Sequence, residues 1–272
     1  MKFKIIAPPP HLADYVRWFW FMEFDAAGNG PFTHHAFAHH CCEFIFYYKG
    51  QFRQKSFTGD EKHVLTGVYG QTQSISTLTS DTDFGVFGFY LYPYAMTQLF
   101  NIPAVEITNQ SIDLKTLCGS EGEALEEKIM LAEDNDQRLK IVIGFLEALL
   151  KNIRSEFLYF CSSLRTLSNG YQDLNVNTWA SDNFLSVRQF ERRVREFTGF
   201  SPKQFLRITR FNALLNKSFT GKRFGDIAFE FGYYDEAHFS HDFKQFSGIN
   251  PSEYFRPETI AATDRGTVRL SS

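Results

Sequence analysis

Two stretches near the C-terminal end share one hydrophobic pattern. Phe190, Val194 and Phe197 fall at i, i+4 and i+7, and Phe239, Phe243 and Phe246 repeat that spacing 49 residues later. Each set lies along one stripe of a helix of about three turns. The same offset matches Ser186 with Asp235, Gly199 with Gly248, Pro202 with Pro251 and Phe205 with Tyr254. Each match has a structural role. Ser186 and Asp235 are N-cap residues whose side-chain oxygens can accept from first-turn amides, and Gln189 completes a capping box. Gly199 and Gly248 end the helices. Ser201-Pro202 and Asn250-Pro251 each start another, with proline at the first helical position.

Upstream of each capped helix lies a short apolar segment, 176–184 and 224–231, containing the pairs Trp179-Ala180 and Ile227-Ala228 at an offset of 48. The second unit therefore has one extra turn residue, and Gly232 supplies the freedom a tight helix–helix turn needs. These features predict two helix-turn-helix units. Residues 202–219 are long enough for one linking helix of roughly 25 Å.

The N-terminal pattern is different. Residues 15–24, 43–48, 63–68 and 85–91 are short aromatic or β-branched runs separated by Gly, Asp and Asn, which predicts strands. Residues 121–157 have helical character, with Leu139, Val142, Ile143, Leu146, Leu149 and Leu150 on one stripe that suits either packing on the sheet or a dimer seam. The expected fold class is α+β: a β-rich, partly barrel-like N-terminal domain with helices, then an all-α domain of two helix-turn-helix units. The expected divisions are 1–157 for effector sensing or dimerisation, 158–258 for DNA binding, and 259–272 as a flexible tail.

The 272 residues are 43% hydrophobic and 17% aromatic, with 31 Phe, which marks a packed chain rather than a disordered one. A net charge of −3 hides an asymmetry. Residues 1–159 hold 13 Lys and Arg against 19 Asp and Glu, whereas residues 160–258 hold 13 against 11. The C-terminal end thus permits DNA binding. The sequence has no long uncharged apolar run and no signal-peptide pattern at its start, so a cytoplasmic protein without membrane contact is expected. Cys41, Cys42, Cys118 and Cys161 form no disulfide framework or CxxC pair.

The segment GDIAFEFGYYDEAHFSHDFKQFSGINPSEY, residues 225–254, resembles the signature of the AraC/XylS family of bacterial transcription regulators. Gly232, Phe239, Phe243, Phe246 and the Gly-x-x-Pro-x-x-Tyr ending stand in register, and the resemblance extends over about 160–256. It implies that the second helix of each unit enters the major groove, about 34 Å from its counterpart. Base contacts would come from Arg188, Gln189 and Arg192 in the first helix and from Glu236, Ala237, Ser240 and His241 in the second. Arg195, Lys203, Arg207, Arg210 and Lys244 would meet phosphates.

Where many members of the family carry Arg, this chain has His241, neutral much of the time near pH 7. The first unit, with four arginines between 188 and 195, is therefore the expected source of affinity. His238 suits packing or phosphate contact as well as base reading. The segments 10–20 and 91–103 resemble the sensor-side domains that precede this DNA-binding type in uncharacterised regulators. That implies a small-molecule effector of unspecified identity, with double-stranded DNA, RNA polymerase and a second copy of the chain as further partners.

His34, His35, His39, His40, Cys41 and Cys42 gather metal-capable side chains within nine positions. If 39–48 is a strand, neighbours point to opposite faces and the six cannot converge. His39 with Cys41, or His40 with Cys42, could each supply two ligands; buried apolar thiols and pocket lining are the alternatives. No cofactor and no catalytic residue is expected, since the chain has no Gly-rich phosphate loop, GxSxG or HExxH motif. Cys41-Cys42 is the nucleophile candidate for an enzyme or thiol-sensor domain fused to the DNA-binding module. A protein-interaction adaptor without DNA binding is the third reading.

Overall fold

The computed structural model describes residues 1–55, 61–151, 153, 157–169, 175–215 and 223–256. The expected tail at 259–272 and the end of the linking helix at 216–219 lie outside them.

The N-terminal half contains β1 (Lys2–Ile6), β2 (Val16–Phe24), α1 (Ala26–Asn29), β3 (Phe32–Ala36), β4 (Cys42–Lys49), β5 (Phe52–Lys55), β6 (Glu61–Val64), β7 (Gly67–Tyr69), β8 (Ser76–Ser80) and β9 (Phe84–Leu91). There follow α2 (Tyr94–Phe100), α3 (Ala104–Ile107), β10 (Ser111–Ile112), α4 (Leu114–Cys118), α5 (Ser120–Leu131) and α6 (Asn135–Leu150). The strands form two antiparallel sheets, β1-β2-β9-β4-β7-β10 and β3-β8-β5-β6. This is the expected β-rich domain, and its two sheets do not close into a barrel. The expected strand at 63–68 is broken in the same way: Leu65 is exposed, β6 pairs in the smaller sheet and β7 in the larger. A strand that changes sheets cannot stay continuous across the gap.

Period-two alternation sorts the larger sheet's side chains onto two faces. Phe19, Phe44, Phe46, Phe87 and Phe89 face the helices and join the main core. Trp18, Trp20, Ile45, Phe84 and Val86 face the smaller sheet and form a second core with Phe32 and Phe52. The α6 stripe packs onto the main core, with Val142 and Leu146 fully buried against the α5 and α2 side.

The C-terminal half is helical: α7 (Leu158–Asn169), α8 (Val176–Asp182), α9 (Val187–Thr198), α10 (Pro202–Leu215), α11 (Phe224–Glu230), α12 (Glu236–Ser247) and α13 (Pro251–Tyr254). The repeat predicted from the sequence is built as expected. Ser186 and Gln189 form the capping box, Asp235 accepts from the His238 amide, and Gly199 and Gly248 close the helices with φ of 77°. One matched pair escaped the sequence reading. Thr198 and Ser247, also 49 apart, each donate to a carbonyl one turn back, Val194 at 2.7 Å and Phe243 at 2.7 Å, and accept from the amide two residues on. Each hydroxyl thus satisfies buried backbone groups at a helix end. The two halves share one continuous core from Leu12 to Tyr254.

Candidate nucleic-acid interface and the cavity behind it

In α9 the amphipathic stripe turns Phe190, Val194 and Phe197 inward and leaves Arg188, Gln189, Arg192 and Arg195 exposed. Of the four arginines expected to supply affinity, Arg193 is turned in, its guanidinium 5.0 Å above the Phe157 ring. On α12, Glu236, Ala237, His241 and Lys244 are exposed and Ser240 is half-buried. His241 Nδ1 lies 3.6 Å from Asp242. The His238 ring meets Tyr233 edge-on at 5.3 Å, so it has a packing role.

Three of the residues expected to contact DNA have partners within the chain. Gln189 was expected to read bases, yet its Oε1 accepts from the Ser186 amide at 3.1 Å and hydroxyl at 2.8 Å. A bidentate base contact would have to displace that cap. Arg207 was expected at a phosphate. Its guanidinium instead donates to both oxygens of buried Asp242, at 2.6 and 3.2 Å, and to Gln245, tying α10 to α12. Arg210, another expected phosphate contact, lies 4.6 Å over the Tyr233 ring. Lys203, Arg195 and Lys244 stay exposed.

The helix-ending glycines of the two units press against one loop cluster of the N-terminal half. Gly199 fits against Gln71 and Thr108, and Gly248 against Ile75. The Thr108 hydroxyl donates to the Gly199 carbonyl at 3.4 Å, and the Ala38 amide donates to the Phe246 carbonyl at 3.0 Å. On α10, Asn212 Oδ1 accepts from His40 Nδ1 at 2.7 Å while its amide donates to the Ala38 carbonyl at 2.8 Å. α9, α12 and the helix between them are thereby held by residues 38–40, 71–75 and 108.

Behind this seam lies a cavity of about 520 Å³ between the two sheets, lined by Trp18, Trp20, Glu43, Tyr47, Tyr69 and Tyr90 among others, with Asn212 and Leu215 of α10 in its wall. That volume suits a small ligand. Glu43 escaped the sequence reading. The signal available was a lone acid on the apolar alternation of β4.

The His and Cys cluster is arranged differently from the expectation. The strand begins only at Cys42, so His39, His40 and Cys41 do not alternate, and their ligand atoms lie within 4.8 Å of one another. Cys42 turns away to Gln71 at 3.1 Å. Arg17 reaches His40 at 3.4 Å and Cys41 at 3.8 Å, and a fixed cation there opposes a metal ion. Burial and Arg17 hold the His39 ring down to about 3, and burial pushes the Cys41 thiol up to about 11. A thiol so shifted is not an activated nucleophile.

Two repeated, capped helices, each behind a shorter helix and the first with exposed arginines, define a helix-turn-helix DNA-binding protein. Residues 179–257 match the family described as helix-turn-helix domain, and residues 4–113 match a domain of unknown function, DUF6597. The chain thus carries a segment that matches a helix-turn-helix domain behind one that matches DUF6597. No curated protein matches the chain in sequence. Similar solved structures include ToxT from Vibrio cholerae, 14% identical over 87% of this chain and 97% of that one, with a TM-score of 0.47. ToxT with an unsaturated fatty acid bound is 13% identical over 86% and 94%, with a TM-score of 0.45. The C-terminal domain of AraT, a response regulator from Geobacillus stearothermophilus, is 20% identical over 41% and 88%, with a TM-score of 0.32. No helix among the described residues is long and apolar enough to cross a membrane.

Proposed function

We propose that the chain is a sequence-specific transcription regulator whose DNA affinity is set by a small molecule in the cavity between its two sheets. One observation carries this reading: Ala38, Ile75 and Asn212 of the cavity wall also hold α12 and α10, while Gln71 and Thr108, next in sequence to the wall residues Gly70, Thr72 and Asn109, hold the end of α9. A ligand that favours one arrangement of those segments biases the placement of α9 and α12 on DNA. The division at 157/158 fits this reading, because α7 packs on α9 through Phe160 and also lies against α10.

Arg188 and Arg192 read bases, with Ala237, Ser240 and His241 forming the second reading surface. Arg195, Lys203 and Lys244 meet phosphates. The cytoplasm is the compartment where such a regulator meets its DNA, with RNA polymerase and a second copy of the chain as neighbours at a promoter.

The test is fluorescence anisotropy of the full chain on DNA fragments selected from a random pool, across a salt series. Selection of one enriched sequence, with affinity falling steeply as salt rises, is the expected result. Equal affinity for every fragment would defeat sequence-specific reading.

A further inference from the structure

We propose that the cavity between the sheets is a receptor site for an organic cation, an amine or quaternary ammonium compound, held by Glu43 within a box of Trp20, Tyr47, Tyr69 and Tyr90. The proposal deepens, and rests on, the reading of this cavity as the effector site.

The box follows from strand register. Glu43 on β4 stands opposite Tyr90 of β9 on one side and Tyr69 of β7 on the other. Tyr47 lies four residues along the same strand, on the same face, beyond Ile45. Trp20 comes from β2 across Gly88, where a Cβ would lie 2.7 Å from the indole. Only glycine there lets the ring lie over the sheet toward Glu43. One carboxylate is thus bordered by aromatic rings along its strand and on both neighbouring strands.

No cation among the described residues pairs with Glu43. Arg17 lies in the same cavity wall, but it is turned to His40, Cys41 and the Trp18 ring, 4.4 Å away. The Tyr90 hydroxyl and the Trp20 N–H both stand near the Glu43 carboxyl. Burial lifts the Glu43 carboxyl to about 7, which records the missing counter-charge.

Aromatic faces carry negative potential and attract cations, most strongly where water is excluded. A carboxylate in the same box adds a full charge and rejects anionic ligands. Beyond it, Ile45, Phe52 and Val86 offer an apolar region for the substituent of an amine. A metal ion is poorly served, because rings rather than further donors surround the single carboxylate.

Calorimetry on the full chain at pH 8 tests the proposal, using choline and its uncharged carbon isostere 3,3-dimethylbutan-1-ol. Choline should bind at least tenfold more tightly than the isostere. Glu43→Gln should weaken choline at least tenfold and leave the isostere unchanged. The wild-type comparison stands even if that variant does not fold. The proposal is overturned if the isostere binds equally well, if a folded Glu43→Gln protein keeps its choline affinity, or if choline, tetramethylammonium and benzyltrimethylammonium all give no heat at millimolar concentration. Anisotropy on DNA with and without choline separates the two readings. Cation binding that leaves DNA affinity unchanged sinks the effector role and keeps the site, whereas ligand-free DNA binding with no cation binding sinks only the site.

Discussion

Asn212, in the last turn of α10, the helix that links the two helix-turn-helix units, bonds to His40 at 2.7 Å in the β-rich half. Both groups are buried, and Asn212 also lines the cavity. Asn212 thus connects the cavity to the helical half.

Replacing Asn212 with Ala leaves His40 Nδ1 and the Ala38 carbonyl without this partner. Stability should fall by about 1–3 kcal/mol, read from the urea midpoint at unchanged slope. The same variant should reduce the response of DNA affinity to ligand, measured by anisotropy. A full response with lowered stability would show that Asn212 only supports the fold.

Phe184 sits at the turn before α9 with φ of 56°, at the position that Gly232, with φ of 65°, occupies in the second unit. Its ring is 90% exposed. Phe184→Gly should therefore raise stability by roughly 0.5–1 kcal/mol through relief of left-handed backbone strain, with little packing lost. A lower melting temperature would contradict this account.

The arginines of the C-terminal half should separate into classes. Arg188→Ala and Arg192→Ala should each weaken the selected site by about 1–3 kcal/mol more than random DNA. Arg195→Ala should weaken both alike and lower the salt slope by about one. Arg207→Ala should instead cost about 3–5 kcal/mol of folding stability, because Asp242 stays buried without its partner. Denaturation curves and anisotropy on the same samples distinguish these outcomes.

Glu43 gives a pH test. Its folded carboxyl is raised to about 7 from an ordinary 4.5, so between those values the folded chain holds the extra proton and stability falls as pH rises. His39 and His40 act in the opposite sense. Their folded values are depressed, so their contribution is present above about 6.5 and is lost as pH falls. The facing Tyr47, Tyr69 and Tyr90 are all raised and stay neutral throughout. Comparison with Glu43→Gln isolates the carboxylate: the variant should gain on wild type by up to about 3 kcal/mol from pH 4.5 to pH 7.5. A constant difference across that range would mean Glu43 titrates normally.

The sequence by itself determined the reading units. Caps, glycine stops and i, i+4, i+7 stripes act over single turns of helix, so Ser186, Asp235, Gly199 and Gly248 could be assigned from spacing alone, and the repeat made each assignment twice. Strand segments in the N-terminal half were legible for the same local reason. Their division into two open sheets was not, because sheet partners are distant in sequence and Leu65 gives no local sign that the chain crosses between them. Tertiary structure alone decided the fate of the charged and polar groups. It paired Arg207 with Asp242, turned Arg193 inward and drew His39, His40 and Cys41 together beside Arg17. It also placed Glu43 among rings from three other strands. A charge is placed by whichever group the fold brings within a few ångströms, and spacing along the chain carries that information only when the partner lies within a turn or two.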